Sequence, residues 1–157
     1  MKKLFKLLSL LIMILVPSVA FGNVIDKLNE AGKFVKLNET LSKAGLVENL
    51  KGNGPFTVFA PLDDAFAAIS AQTYYGLLRE ENKDKLVKIL GRHVFAKKIT
   101  SSEIDGEIKL KAINGEEITI KKVNGIVYIN EAEVVTADVE VSNGVIHFIN
   151  RVLQPLQ

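Results

Sequence analysis

Residues Gly54 to Ile69 read GPFTVFAPLDDAFAAI. An apolar run, Phe56-Thr57-Val58-Phe59, is halted by Pro61 and followed at once by Asp63-Asp64 and the apolar stretch Ala65 to Ile69. A short continuous apolar run between turn residues is the pattern of a strand covered on both faces. Carboxylates at a helix start meet free N–H groups and the positive end of the dipole, so Asp63 is expected to cap a helix over 65–69. The closing stretch Asn143 to Pro155, NGVIHFINRVLQP, repeats the theme with a turn signal and an almost unbroken apolar strand over 145–153. Two buried strands with sharp boundaries frame the remainder.

Toward the N-terminus the spacing becomes helical. Ile25, Leu28, Phe34, Leu37, Leu41 and Ala44 recur at three- and four-residue steps, with Gly32 as a break and Gly45 as a stop. A further turn over Leu46 to Leu50 ends at Gly52-Asn53-Gly54. Between the two apolar strands, Tyr74 to Glu80 reads as helix, and Asn82 is expected to cap a helix over 83–90. Beyond it the chain should be extended over 93–99, make a brief helical turn at 101–104, and continue as strands at 108–113, 117–123, 126–130 and 134–135. Asn114-Gly115, Asn124-Gly125 and Asn143-Gly144 read as type I′ hairpin turns, which require positive φ at both central residues. Helices first and a hairpin array afterwards predict one α+β domain over 23–157.

Residues 1–22 have the form of a secretory leader. Lys2, Lys3 and Lys6 precede an apolar core from Leu7 to Val16, and Pro17 precedes small residues. Cleavage is expected after Ala20 or Gly22. The apolar run falls short of the roughly 20 residues a spanning helix needs, so the mature chain is expected to carry no stable membrane anchor. Losing the leader removes three lysines and leaves 17 basic against 18 acidic residues, a balance near −1. No basic stripe then remains to favour nucleic acid. The chain has no cysteine, which removes disulfides, a thiol nucleophile and a lipidated cysteine. The expected location is periplasmic or extracellular.

No catalytic constellation is present. There is no Gly-x-Ser-x-Gly elbow and no His-Glu-x-x-His helix, and Gly52-x-Gly54 runs into Pro55 instead of a phosphate loop. A zinc site wants three or four ligands, whereas His93 and His147 would need a carboxylate such as Asp105 or Asp138. Each histidine sits among Val, Ile or Phe, and the preferred reading is a buried imidazole fastening strands through backbone hydrogen bonds. Asp63-Asp64 is explained by capping. Tyr74-Tyr75 suggests either a stacking platform or one core ring beside one rim ring. No cofactor and no metal are expected.

The two boxes, together with ENKDKLVKILGRHV over 81–94 and Val134 to Asp138, resemble the fasciclin family in the family's own order. The resemblance implies a wedge-like antiparallel β-sandwich decorated with helices, without catalytic activity, acting in adhesion. Two positions depart from the family pattern: Leu62 replaces a small polar residue, and Arg92 replaces the tyrosine of a Tyr-His pair, leaving His93. In some animal members the Tyr-His region and an Asp-Ile step before the second box are implicated in integrin binding. Those positions map here to His93, Asp138 and Val139. The expected function is thus a secreted, non-catalytic interaction module for a protein, matrix or polysaccharide surface. The alternative implied by the family is a carrier of an apolar ligand such as a carotenoid, with Tyr74 and Tyr75 lining the groove.

Overall fold

The computed structural model describes residues 22–154; the leader up to residue 21 and the end of the second box at Pro155 lie outside them. The helices are α1 (Val24–Ala31), α2 (Val35–Ala44), α3 (Val47–Leu50), α4 (Asp63–Phe66), α5 (Ala71–Leu77) and α6 (Lys83–Gly91). The strands are β1 (Phe56–Pro61), β2 (Val94–Phe95), β3 (Glu107–Lys111), β4 (Glu117–Val123), β5 (Ile126–Ile129), β6 (Ala132–Val141) and β7 (Gly144–Ile149). Single 3-10 turns occupy Glu80–Asn82 and Ser101–Glu103. The α+β class holds, and the glycines at 32 and 45 end α1 and α2 in the left-handed conformation, as their positions predict.

All seven strands form one sheet in the order β2-β1-β7-β6-β5-β4-β3. Neighbours are antiparallel except at the centre, where β1 and β7 run parallel from Phe56↔Gly144 to Pro61↔Ile149. The two boxes are therefore adjacent strands. Gly144 lets them meet: a Cβ there would sit 1.8 Å from the Phe56 carbonyl oxygen. The sheet curls until its ends approach, and Ile113 N–H donates to Val94 O at 2.9 Å. The result is a wedge.

Two hydrophobic cores lie on opposite faces of the central pair. Helices α1, α2 and α6 cover one with Leu28, Phe34, Leu41 and Leu90, against Val58, Ala60 and Ile146. The other fills the inside of the wedge, where Phe59 and Ile149 meet Ile118, Ile120, Val127 and Ile129. Alternate side chains of β1 and β7 thus enter different cores, which is why both strands are apolar apart from Thr57 and His147. Burying each such aliphatic or aromatic side chain contributes about 1.5–3 kcal/mol.

Several local expectations change. Asp63 does not cap its own helix; its Oδ1 accepts from Lys36 N at 2.9 Å, at the start of α2, whose N-cap Phe34 has no capping side chain. The carboxylate still serves a helix N-terminus, but one brought to it by the fold. Asn82 likewise gives α6 no side-chain cap and donates instead to Gly76 O at 2.7 Å. Of the Asn-Gly pairs, only Asn124-Gly125 has positive φ at both residues, 52° and 79°. At Asn114-Gly115 only the glycine is left-handed (φ 88°), and Gly115 N–H bonds Ala112 O, the three-residue loop of a bulged hairpin. At the third pair the turn falls on Ser142-Asn143, and Gly144 already belongs to β7. Strand β6 runs ten residues instead of two, because register shifts between Val134 and Val139 bend it to serve both arms of the wedge. The expected extended segment 93–99 shrinks to β2, and the last strand stops at Ile149.

Candidate functional site

The polar side chains of the interior are anchors. His93, at the C-terminal end of α6, is 2% exposed. Its Nε2 faces Leu153 N–H at 2.9 Å and must accept, so Nδ1 carries the proton and donates to Ile89 O at 2.8 Å. His147 on β7 has the opposite tautomer: Nδ1 accepts from Asp138 N–H at 3.1 Å and Nε2 donates to Ile99 O at 2.7 Å. Burial lowers both imidazoles, His93 to about 4. The reading of both as buried imidazoles bonded to backbone is borne out, but only His147 lies on a strand; His93 follows α6 and ties that helix to the C-terminal segment. Each ring has both nitrogens committed to backbone.

Arg92, in the position of the family's tyrosine, is buried beside His93. Its guanidinium forks onto Glu116 at 2.5 and 2.8 Å and reaches Leu153 O at 3.4 Å. The hydrogen bonds from Arg92 hold the Glu116 carboxyl below its usual range. Arg92 and His93 together clamp the backbone of Leu153, whose side chain fills the wedge.

Asp138 sits at the β6 irregularity with φ 60° and an exposed side chain. One carboxylate oxygen accepts from Ser101 N–H at 2.7 Å and the other from the Ser101 hydroxyl. Partial burial works against the ionised form, but these bonds prevail and hold the carboxyl below its ordinary value. Val139 is half-buried against the helix-side core. His93 makes no hydrogen bond to Asp138 or Val139: it holds the C-terminal segment, whereas Asp138 holds Ser101 and His147.

Asn143 and Thr57 are anchors that the sequence reading missed. Asn143 Oδ1 accepts from Val24 N–H at 3.0 Å, and its Nδ2 donates to Leu50 O and Gly52 O at 2.7 and 2.8 Å. It thus ties the start of α1 and the end of α3 to the entry of β7. Thr57 Oγ1 donates to Lys97 O and accepts from Ile99 N–H. For Thr57 the available signal was a polar residue inside an apolar strand, which must find partners when buried.

Free side chains lie elsewhere. On the outer face of β4–β6, Val123, Ile126 and Val135 are 48%, 40% and 48% exposed. Val123 pairs with Ile126, and Tyr128 pairs with Glu133, so these four share the outer face, and the exposed Val135 follows at the first register shift of β6. Lys121 lies opposite Tyr128 with its Nζ 5.8 Å from the ring centroid. The tyrosine pair is one core ring and one rim ring: Tyr74 is 4% exposed and Tyr75 62%. The Tyr74 hydroxyl donates to Glu39 at 2.6 Å, and burial followed by that carboxylate pushes its pKa up. Tyr74 therefore does not line an open groove, contrary to the carrier expectation. A shallow groove of about 460 Å³ instead runs between Ala65, Ile69, Glu131 and Arg151. Among the described residues no helix is long and apolar enough to cross a membrane.

A mixed wedge with two adjacent parallel boxes, helices on one face and backbone-tied histidines finds its match in known proteins. The Fasciclin domain family model matches residues 32–155, so this chain belongs to the fasciclin family. It is 50% identical over 123 residues to Protein sll1483 of Synechocystis sp., covering 78% of this chain and 67% of that protein. It is 36% identical over 134 residues to the transforming growth factor-beta-induced protein ig-h3 of Sus scrofa, covering 85% of this chain but 19% of the pig protein. Among solved structures it superposes on a FAS1 domain pair from the insect cell adhesion molecule Fasciclin I, with TM-score 0.76 and 21% identity. That match covers 87% of this chain and 52% of the other, and it establishes the fold.

Proposed function

We propose that this fasciclin domain is a secreted, non-catalytic adhesion module whose contact surface is the outer face of β4–β6. The observation that carries the reading is a division of labour. The buried histidines and the arginine are committed to structural bonds, while Val123, Ile126 and Val135 stand on a solvent face with Tyr128, Lys121 and Glu133 around them. Apolar side chains grouped on an exposed sheet face mark contact surfaces. The partner class is a protein or polysaccharide surface. Asp138 and Val139 adjoin this face on β6, and Asp138 supports it by fixing the bend of the strand. Relatives found in adhesion proteins support the reading, as does the leader-like N-terminus for export. One domain of this kind binds weakly alone and gains retention when displayed in several copies.

The test is retention of a multivalent display of the domain on source cells, extracellular matrix and polysaccharide. Ile126→Asp with Val135→Asp should abolish retention while leaving the melting transition in place. Absence of wild-type retention above an unrelated display of equal valency would overturn the reading.

A further inference from the structure

Four asparagines precede glycine in this chain, at positions 53, 114, 124 and 143. Such pairs are chemically labile. The glycine nitrogen gives up its proton to a solvent base and attacks the asparagine Cγ. The Cγ–Nδ2 bond breaks, ammonia leaves with a proton from water, and a five-membered imide remains. Water then opens the imide at either carbonyl, yielding aspartate or isoaspartate. Three conditions govern the rate in a folded protein: a free amide, a free glycine N–H, and a backbone that can turn to bring them together.

The fold treats the four sites differently. Asn143 is buried, with both amide atoms engaged by Val24, Leu50 and Gly52. At Asn114 the Oδ1 accepts from Glu116 N–H at 2.9 Å, the Nδ2 donates to Lys88 O at 3.1 Å, and the attacking Gly115 N–H is already bonded to Ala112 O. Asn53 is exposed, but the chain after it packs against the β6–β7 turn: a Cβ on Gly54 would lie 2.2 Å from Asn143 O, the oxygen that accepts from Phe56 N–H at 2.9 Å. Asn124 shares an exposed, unbonded amide and an unbonded glycine N–H with Asn53, and differs in that no other segment packs against its glycine. It is exposed at the β4–β5 tip, and among the described residues its amide has no hydrogen-bond partner. The Gly125 N–H bonds no other backbone group, and nothing lies within 4 Å of where its Cβ would be.

We propose that Asn124 is a self-modification site, converting to aspartate and isoaspartate in the folded protein ahead of the other three. The product places a carboxylate two residues from Lys122 and beside Val123. Isoaspartate also routes the chain through the side chain and lengthens the two-residue turn by one backbone atom.

The experiment incubates the full folded protein in mildly alkaline buffer, and in parallel in concentrated urea. Amide loss at each Asn-Gly pair is followed by peptide mass mapping. In buffer, Asn124 should convert at least about tenfold faster than each other site, the factor that about 1.4 kcal/mol of local opening cost imposes. In urea the four rates should converge. Equal native rates at Asn124 and any other pair would overturn the proposal. So would an Asn124 lead that persists undiminished in urea, since it would then owe nothing to the fold.

Discussion

The central pair β1/β7 and the arm β3–β5 belong to one sheet and behave as opposites. Every side chain of β7 from Val145 to His147 is buried, whereas β4 alternates between buried Ile118 and Ile120 and outward Glu117, Thr119 and Lys121. In the centre, polar groups such as Thr57, His147 and Asn143 are consumed by backbone partners from other elements. On the arm, they face water. A strand covered on both sides can carry no free polar group without leaving it unsatisfied, so side chains free to meet a partner are found on the one-sided arm, where the proposed contact surface lies.

The sharpest way to break this contrast is a single methyl group. Gly144→Ala places a Cβ 1.8 Å from Phe56 O, and both backbones belong to the central pair, so neither can retreat without breaking the parallel register. The expected loss exceeds about 4 kcal/mol or prevents folding. Gly125→Ala on the arm meets nothing within 4 Å, and the strain of φ 79° costs about 1–2 kcal/mol. Chemical denaturation of the two variants reads the difference.

Acid should attack the centre next. An unfolded histidine binds its proton near 6.5, while folded His93 resists until about 4. Between those values the unfolded chain holds more protons, so stability is complete above about 6.5 and declines as pH falls toward 4. The lost contribution is about 3 kcal/mol. His147, lowered in the same sense, adds to the slope. His93→Gln, whose amide can both donate to Ile89 O and accept from Leu153 N–H, should flatten the profile over that window. An unchanged slope would show that protonation of His93 is not what acid acts on in this window.

Asn143→Ala should cost roughly 2 kcal/mol, because Val24 N–H, Leu50 O and Gly52 O lose a common partner near the surface and water can reach only some of them. This residue also shows where sequence reading stops. The apolar runs of both boxes, the helical spacing from Ile25 to Ala44 and the Asn124-Gly125 turn are local patterns, and each was legible. Asn143 looked like another hairpin residue because its three partners lie 91 to 119 positions away. Asp63 was readable as a cap, but the N–H it serves, that of Lys36, lies 27 residues earlier. The parallel pairing of the boxes was equally hidden, since no periodicity says which strand lies beside which. For the surface, exposure of Val123, Ile126 and Val135 follows from which face the wedge closes over, and a half-apolar strand does not announce that from its own residues.

The smallest expected effect tests the one-sidedness of the arm directly. Ile126 and Val127 are consecutive residues of β5, one 40% exposed and the other 5%. Threonine is β-branched like both, so substitution leaves strand preference nearly unchanged and mainly introduces a hydroxyl. Val127→Thr puts that hydroxyl into the wedge core beside Ile118, Ile120 and Ile129 and should cost about 1–3 kcal/mol. Ile126→Thr turns it to water and should stay within about 0.5 kcal/mol. Equal penalties measured by urea midpoints would mean that the outer face is covered in solution, which would move the contact surface off the arm. A large gap at neighbouring positions, with Ile126→Thr also weakening surface retention, would place that surface where structural demands on the chain are least.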